Sequence, residues 1–158
     1  MKFVNQVKGW VEKNKDQIAE AISQLVQIKT ENLPPGGNEK PGQEYLYDFA
    51  STFLDESDLD MFEIDEVKTL RDSPLFFGTM AGMEKQYQGR PNLVARLKGA
   101  NHRRSLLFSG HIDTMPATGP WKVFEDPFSG KIKDGKLYGR GSADMKAGTL
   151  AGFFALKC

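Results

Sequence analysis

Cysteine occurs once in the 158 residues, at Cys158, and histidine twice, at His102 and His111. A single thiol excludes an internal disulfide and a cysteine-rich zinc site. Two imidazoles exclude a histidine-rich metal centre, so a metal site within this chain has to lean on carboxylates. An excess of charge is missing as well: 21 Lys and Arg stand against 21 Asp and Glu. That balance argues against nucleic acid and membrane surfaces as partners, since both call for a basic excess. The longest near-apolar run, Ala147 to Leu156, is interrupted by Thr149 and is too short to cross a bilayer. The first eleven residues lack the continuous apolar core of a secretory signal, so a soluble cytoplasmic protein is expected. There is no Gly-x-Ser-x-Gly elbow and no Gly-Lys-Ser/Thr phosphate loop, which sets aside the α/β-hydrolase and P-loop chemistries.

What is present suits one globular domain with a real core: 39% of residues are hydrophobic and 27% charged. Ile18, Ile22, Leu25 and Val26, with Ile28 beside them, recur at helical spacing. Leu33-Pro34-Pro35-Gly36-Gly37 ends that helix and opens a loop to Pro41-Gly42. Tyr45, Leu46, Phe49, Phe53 and Leu54 mark a second amphipathic stretch, and Phe62 with Ile64 a short strand. Residues 69–91 read mostly as loop. Leu93, Ala95 and Leu97 alternate with Val94, Arg96 and Lys98 as in a strand, and His102 falls in a solvated turn. Leu106-Leu107-Phe108 within Ser105–Ser109 suggests a strand buried on both faces. Asp134-Gly135 between Lys131-Ile132-Lys133 and Lys136-Leu137-Tyr138 signals a two-residue hairpin. Met145 to Leu156 reads as a helix with Asp144 as its N-cap, and Cys158 as a buried structural thiol at its end. Helices before and after a set of strands imply an α/β layered domain.

Two polar clusters could carry chemistry. In Gly110-His111-Ile112-Asp113, strand geometry would point His111 and Asp113 the same way, so that the carboxylate orients the imidazole or joins it at a metal. Polar groups at the end of a buried strand are where open α/β sheets bind ligands. A strand cap followed by a turn is the plainer reading of this pair taken alone. In Tyr138-Gly139-Arg140-Gly141-Ser142-Ala143-Asp144-Met145-Lys146, two glycines permit a close backbone approach, and a helix dipole favours a carboxylate at 144. Such a carboxylate could bind one metal or bridge two, or simply cap the helix. A dinucleotide site is disfavoured, because Asp144 stands where the third glycine of that fingerprint belongs and would repel a pyrophosphate. Trp121 with Pro127-Phe128 is expected to pin the long connection down by packing.

Taken in order, Gly110-His111-Ile112-Asp113-Thr114-Met115-Pro116, Trp121, Asp126-Pro127-Phe128, Gly135-Lys136-Leu137-Tyr138-Gly139-Arg140-Gly141 and Asp144-Met145-Lys146 form a wider pattern. It resembles the dinuclear zinc amidohydrolase and peptidase family of acetylornithine deacetylase, succinyl-diaminopimelate desuccinylase, aminoacylase-1 and carboxypeptidase G. Asn92-Leu93-Val94-Ala95 looks like the family strand that precedes the metal strand. The resemblance is closest from about Arg90 onward and looser over 18–67. It implies a three-layer α/β/α sandwich around a central mixed sheet. It also implies two divalent metal ions, zinc first, with cobalt or manganese as alternatives. By resemblance His111 would ligate one metal and Asp144 would bridge both. Asp113, grouped with the catalytic residues, would buttress the His111 imidazole. The implied activity is hydrolysis of an amide or peptide bond in a small N-acyl amino acid or dipeptide-like substrate, through a metal-activated water. Met115 and Ala147 stand where the family usually has Val and Gly.

The resemblance also implies parts this chain does not hold. The family's acidic pair, which supplies a general base and a ligand, lies well beyond Asp144, as do a further carboxylate, a distant histidine and an inserted lid or dimerisation domain. Residues 1–158 are therefore expected to be the N-terminal part of a metallohydrolase catalytic domain, incomplete at its C-terminus and inactive alone. The full-length protein is expected to form a homodimer. Apolar surface and unpaired strand edges are expected to be exposed, with poor solubility and weak zinc binding. A non-catalytic binding or regulatory protein on the same fold is the alternative.

Overall fold

The computed structural model describes residues 2–70, 72–74, 87–100 and 104–158. In chain order its elements are α1 (Lys2–Gln27), β1 (Asn32–Leu33), β2 (Gly36–Gly37), α2 (Lys40–Ser51), β3 (Leu59–Phe62), β4 (Asn92–Ala95), β5 (Ile132–Lys133), β6 (Lys136–Leu137) and α3 (Ala147–Lys157). Short 3-10 turns at Glu56–Asp58 and Ile64–Glu66 flank β3, and a π-type turn at Ser142–Lys146 leads into α3. Helices and short strands together give the chain α/β character. The described strands form three separate two-stranded antiparallel pairs. The chain divides into two compact units.

The first unit gathers Met1–Ile28, Arg103–His111 and Gly119–Cys158. Helix α1 follows the predicted period, and its burial concentrates at the C-terminal end, in Ala21, Ser23, Leu25 and Val26. It packs on α3, where Leu150 and Phe154 are buried, and the Trp10 and Phe154 rings meet at 6.4 Å between centroids. The hairpin β5–β6 forms as the sequence signals, with Ile132 opposite Leu137 and Lys133 opposite Lys136. Its two turn residues take positive φ, 52° at Asp134 and 70° at Gly135, as a type I′ turn requires. Phe128 is buried, and the Arg140 guanidinium lies 5.2 Å over the Trp121 ring, so this connection is held by packing as expected.

Three expectations in this unit are corrected. Residues 105–109 form no strand and are not buried: Leu106 is 80% exposed, Leu107 85% and Phe108 54%. A strand needs a neighbour to bond to, and no described segment pairs with this one. Helix α3 starts at Ala147 with Lys146 at its N-cap, so Asp144 does not cap it. Asp144 is extended instead, at φ −129° and ψ 101°, and the Asp144–Met145 peptide is cis. Cys158 is exposed rather than buried.

The second unit comprises Lys29–His102 and Ile112–Thr118. Helix α2 starts one residue before Pro41, earlier than the predicted loop end, because proline is pre-set for a first helical turn. It packs on β3 and β4 and buries Leu46 and Ala50. Strand β3 pairs with β4 from Leu59 opposite Ala95 to Phe62 opposite Asn92. The strand expected around Phe62 and Ile64 is thus centred earlier, and Ile64 opens a 3-10 turn in which the Glu63 amide donates to Glu66 Oε2 at 2.8 Å. Leu97 lies beyond the end of β4 and is 60% exposed. Of the loop expected over 69–91, residues 71 and 75–86 lie outside the described residues, and 87–89 form a turn. The expected turn at His102 also lies outside them. Arg90 donates to both oxygens of the buried Glu39, from Nε at 2.8 Å and from a terminal nitrogen at 2.6 Å. Among the described residues no helix is long and apolar enough to cross a membrane.

Candidate functional site

Two of the three sequence-predicted residues meet in the first unit. His111 Nε2 lies 3.1 Å from Asp144 Oδ1. The imidazole is 47% exposed and the carboxylate 86%. The pair is therefore open to water and to a ligand.

Each partner is held from the N-terminal turn of α3. Thr149 Oγ1 donates to the His111 carbonyl at 3.0 Å. That approach needs Gly110 without a side chain, because a Cβ there would stand 2.7 Å from Thr149 Oγ1 and 3.2 Å from Met145 Cε. On the other side, Gly141 takes φ 83°, a left-handed conformation that a side chain disfavours. Its carbonyl accepts the Lys146 amide at 2.9 Å, closing the turn in which Asp144 sits.

Asp113, the third predicted residue, belongs to the second unit. There Asn32 Nδ2 donates to Asp113 Oδ2 at 3.4 Å. The neighbouring backbone is fixed residue by residue. Thr114 N donates to Thr30 O at 2.9 Å, Asn32 N donates to Thr114 O at 2.8 Å, and the fully buried Thr30 hydroxyl donates to Ile112 O at 2.5 Å. Residues 30–32 thus run beside 112–114, with one parallel bridge between Glu31 and Thr114. Ala117 N donates to Glu31 Oε1 at 2.9 Å and extends this clamp.

One imidazole nitrogen facing one carboxylate oxygen is a donor set that suits a divalent cation. It is part of a shell, not a whole one: among the described residues, no group of three or more His, Cys, Asp or Glu side chains could hold a metal ion. The site also contains a residue to which sequence reasoning gave no role. Lys146 is fully buried, and its ammonium donates to Leu25 O at 3.0 Å and Ile28 O at 2.6 Å. No signal in residue type marks it, because both acceptors are main-chain carbonyls far away in the sequence.

The family model described as Peptidase family M20/M25/M40 matches residues 107–158, the segment that contains His111, Asp113, Asp144 and Lys146. The whole chain is similar to an N-formyl-4-amino-5-aminomethyl-2-methylpyrimidine deformylase of Halalkalibacterium halodurans, at 29% identity over 161 residues, covering 99% of this chain and 31% of the relative. A shorter stretch is 47% identical over 66 residues to a succinyl-diaminopimelate desuccinylase of Methylobacterium radiotolerans, covering 41% of this chain and 16% of the relative. A third, from Rhodospirillum centenum and with the same name, is 53% identical over 64 residues, 38% of this chain and 15% of the relative. The segment that this family model matches also carries the motifs from His111 to Lys146. The chain spans about a third or less of the length of these relatives.

Proposed function

We propose that the protein, at its natural length, is a metal-dependent hydrolase that cleaves an amide or peptide bond in a small N-acyl amino acid or dipeptide-like substrate. The observation that carries this reading is the 3.1 Å approach of His111 Nε2 to Asp144 Oδ1 inside the segment that matches the peptidase family. The relatives are named for the removal of a succinyl or a formyl group, which supports a small acyl group on nitrogen as the target. In this reading His111 would hold one metal ion and Asp144 would be shared between two, with zinc the first choice and cobalt or manganese alternatives. Asp113, two positions on from His111, orients the imidazole as an outer carboxylate. A bound pair of divalent ions would supply Lewis acidity and an activated water at neutral pH. What this chain contributes is placement: Thr149 fixes the main chain of His111, and the turn from Gly141 to Lys146 fixes Asp144.

Residues 1–158 then form the N-terminal part of a catalytic domain of three-layer α/β/α type, and segments outside this chain supply the general base, the other ligands and a dimerisation domain. The protein works in the cytoplasm. The test is hydrolysis of N-succinyl and other N-acyl amino acids and of dipeptides by the natural-length protein, with and without a chelator. Activity should vanish with chelation and return with zinc or cobalt. His111→Ala and Asp144→Ala should each lower kcat/KM by at least a thousandfold, about 4 kcal/mol. Metal-dependent turnover surviving in either variant would sink the assignment. Reversible binding of the same compounds without turnover would favour a non-catalytic binding protein instead.

A further inference from the structure

We propose that Lys146 is a positioning residue for the His111–Asp144 pair, acting as a latch that transmits the rigidity of α1 to the turn carrying Asp144. This rests on the metal-site reading above. A lysine at zero exposure is rare, because its ammonium must find acceptors in place of water. Here the acceptors are Leu25 O and Ile28 O, at the C-terminal end of α1, where the carbonyls lack intrahelical partners and the helix dipole favours a cation. Leu25 and Val26 are themselves fully buried, so the acceptor end of the latch is well anchored.

The other end of the latch is one residue beyond Met145. Asp144 and Met145 both leave helical geometry, at ψ 101° and 33°, so no helical ladder sets the direction of the Asp144 carboxylate. The turn is fixed at its two ends instead. Gly141 O receives the Lys146 amide at 2.9 Å, and the Lys146 ammonium is fixed on α1. Three residues further on, Thr149 holds the His111 carbonyl at 3.0 Å. The spacing of the pair therefore depends on two anchors one turn apart at the start of α3, and Lys146 is the anchor on the carboxylate side.

The experiment measures Co2+ affinity and the visible absorption band of bound Co2+ in the natural-length protein, beside its thermal midpoint. His111→Ala tests the underlying reading and should abolish the band. Lys146→Met, which keeps the stem and removes the donors, should weaken Co2+ binding at least tenfold and shift the band. Ser23→Ala is the control for mere destabilisation, because it removes another buried tie of the same unit, the Ser23 hydroxyl donating to Gly130 O at 2.7 Å. It should leave Co2+ affinity within twofold while lowering the midpoint. If Lys146→Met does not accumulate as folded protein, Lys146→Gln replaces it under the same criteria. Wild-type affinity and band in the Lys146 variant, with the band lost in His111→Ala, would overturn the latch and leave the metal site standing. Equal weakening by Ser23→Ala would overturn it too, by making the effect one of general stability. An unchanged band in His111→Ala would overturn both.

Discussion

Thr149 grips His111 by its main chain, leaving both ring nitrogens to other partners. Thr149→Val keeps the shape and removes the hydroxyl, so it should cost about 1 kcal/mol in urea unfolding, the usual net worth of one hydrogen bond. Gly110→Ala should cost more, about 1–3 kcal/mol, because its Cβ would overpack against Thr149 Oγ1 and Met145 Cε. In the second unit, Arg90→Ala would leave Glu39, 6% exposed, without its guanidinium fork. A loss of about 3–5 kcal/mol is expected in the same measurement, since a buried charge without its partner is strongly unfavourable. His111 and Asp144 were singled out in the sequence because several motifs stand in register around them. Lys146 was not, because its acceptors are main-chain carbonyls 121 and 118 positions away, and carbonyls leave no mark in residue type. The expected N-cap role of Asp144 failed for a related reason. The rule reads an acid before an apolar run as a cap, and here the chain takes two further residues to enter the helix.

Among the elements, those written in local pattern came through. The periods of α1 and α2 and the Asp134-Gly135 turn of β5–β6 are set by residues a few positions apart, so the sequence alone could place them. The apolar run at 106–108 reads as a buried strand by composition, yet pairing depends on a neighbour that composition does not name. Boundaries moved where a single residue could serve two purposes, as Pro41 does between loop and first helical turn. The elements that formed should respond in ordinary ways. Leu46→Ala in α2, at 1% exposure, is expected to cost about 2–5 kcal/mol by denaturant titration, from lost transfer energy and the cavity left behind. Gly135→Val should open the β5–β6 hairpin, because a β-branched residue is strained at φ 70°. Faster amide exchange confined to residues 131–138 would record it.

For the molecule as a whole, Leu106, Leu107 and Phe108 form one contiguous stretch of exposed apolar surface among the described residues. The 158-residue chain should bind the dye ANS, and a Leu106→Lys, Leu107→Lys double variant should bind markedly less. Unchanged fluorescence would mean that these side chains are covered in solution. The α/β content was readable from the order of patterns, whereas a continuous central sheet was an inference from resemblance, and the described strands stop at pairs. The Lys146 latch adds a matter of timing. Ile28 leaves the ribosome 118 residues before the ammonium that will cap its carbonyl. At about 5–20 residues per second, α1 waits about 6–24 s with its C-terminal carbonyls and its apolar face uncovered. Through that interval a nascent chain has a helix but no latch, and the pair at His111 and Asp144 has yet to be made.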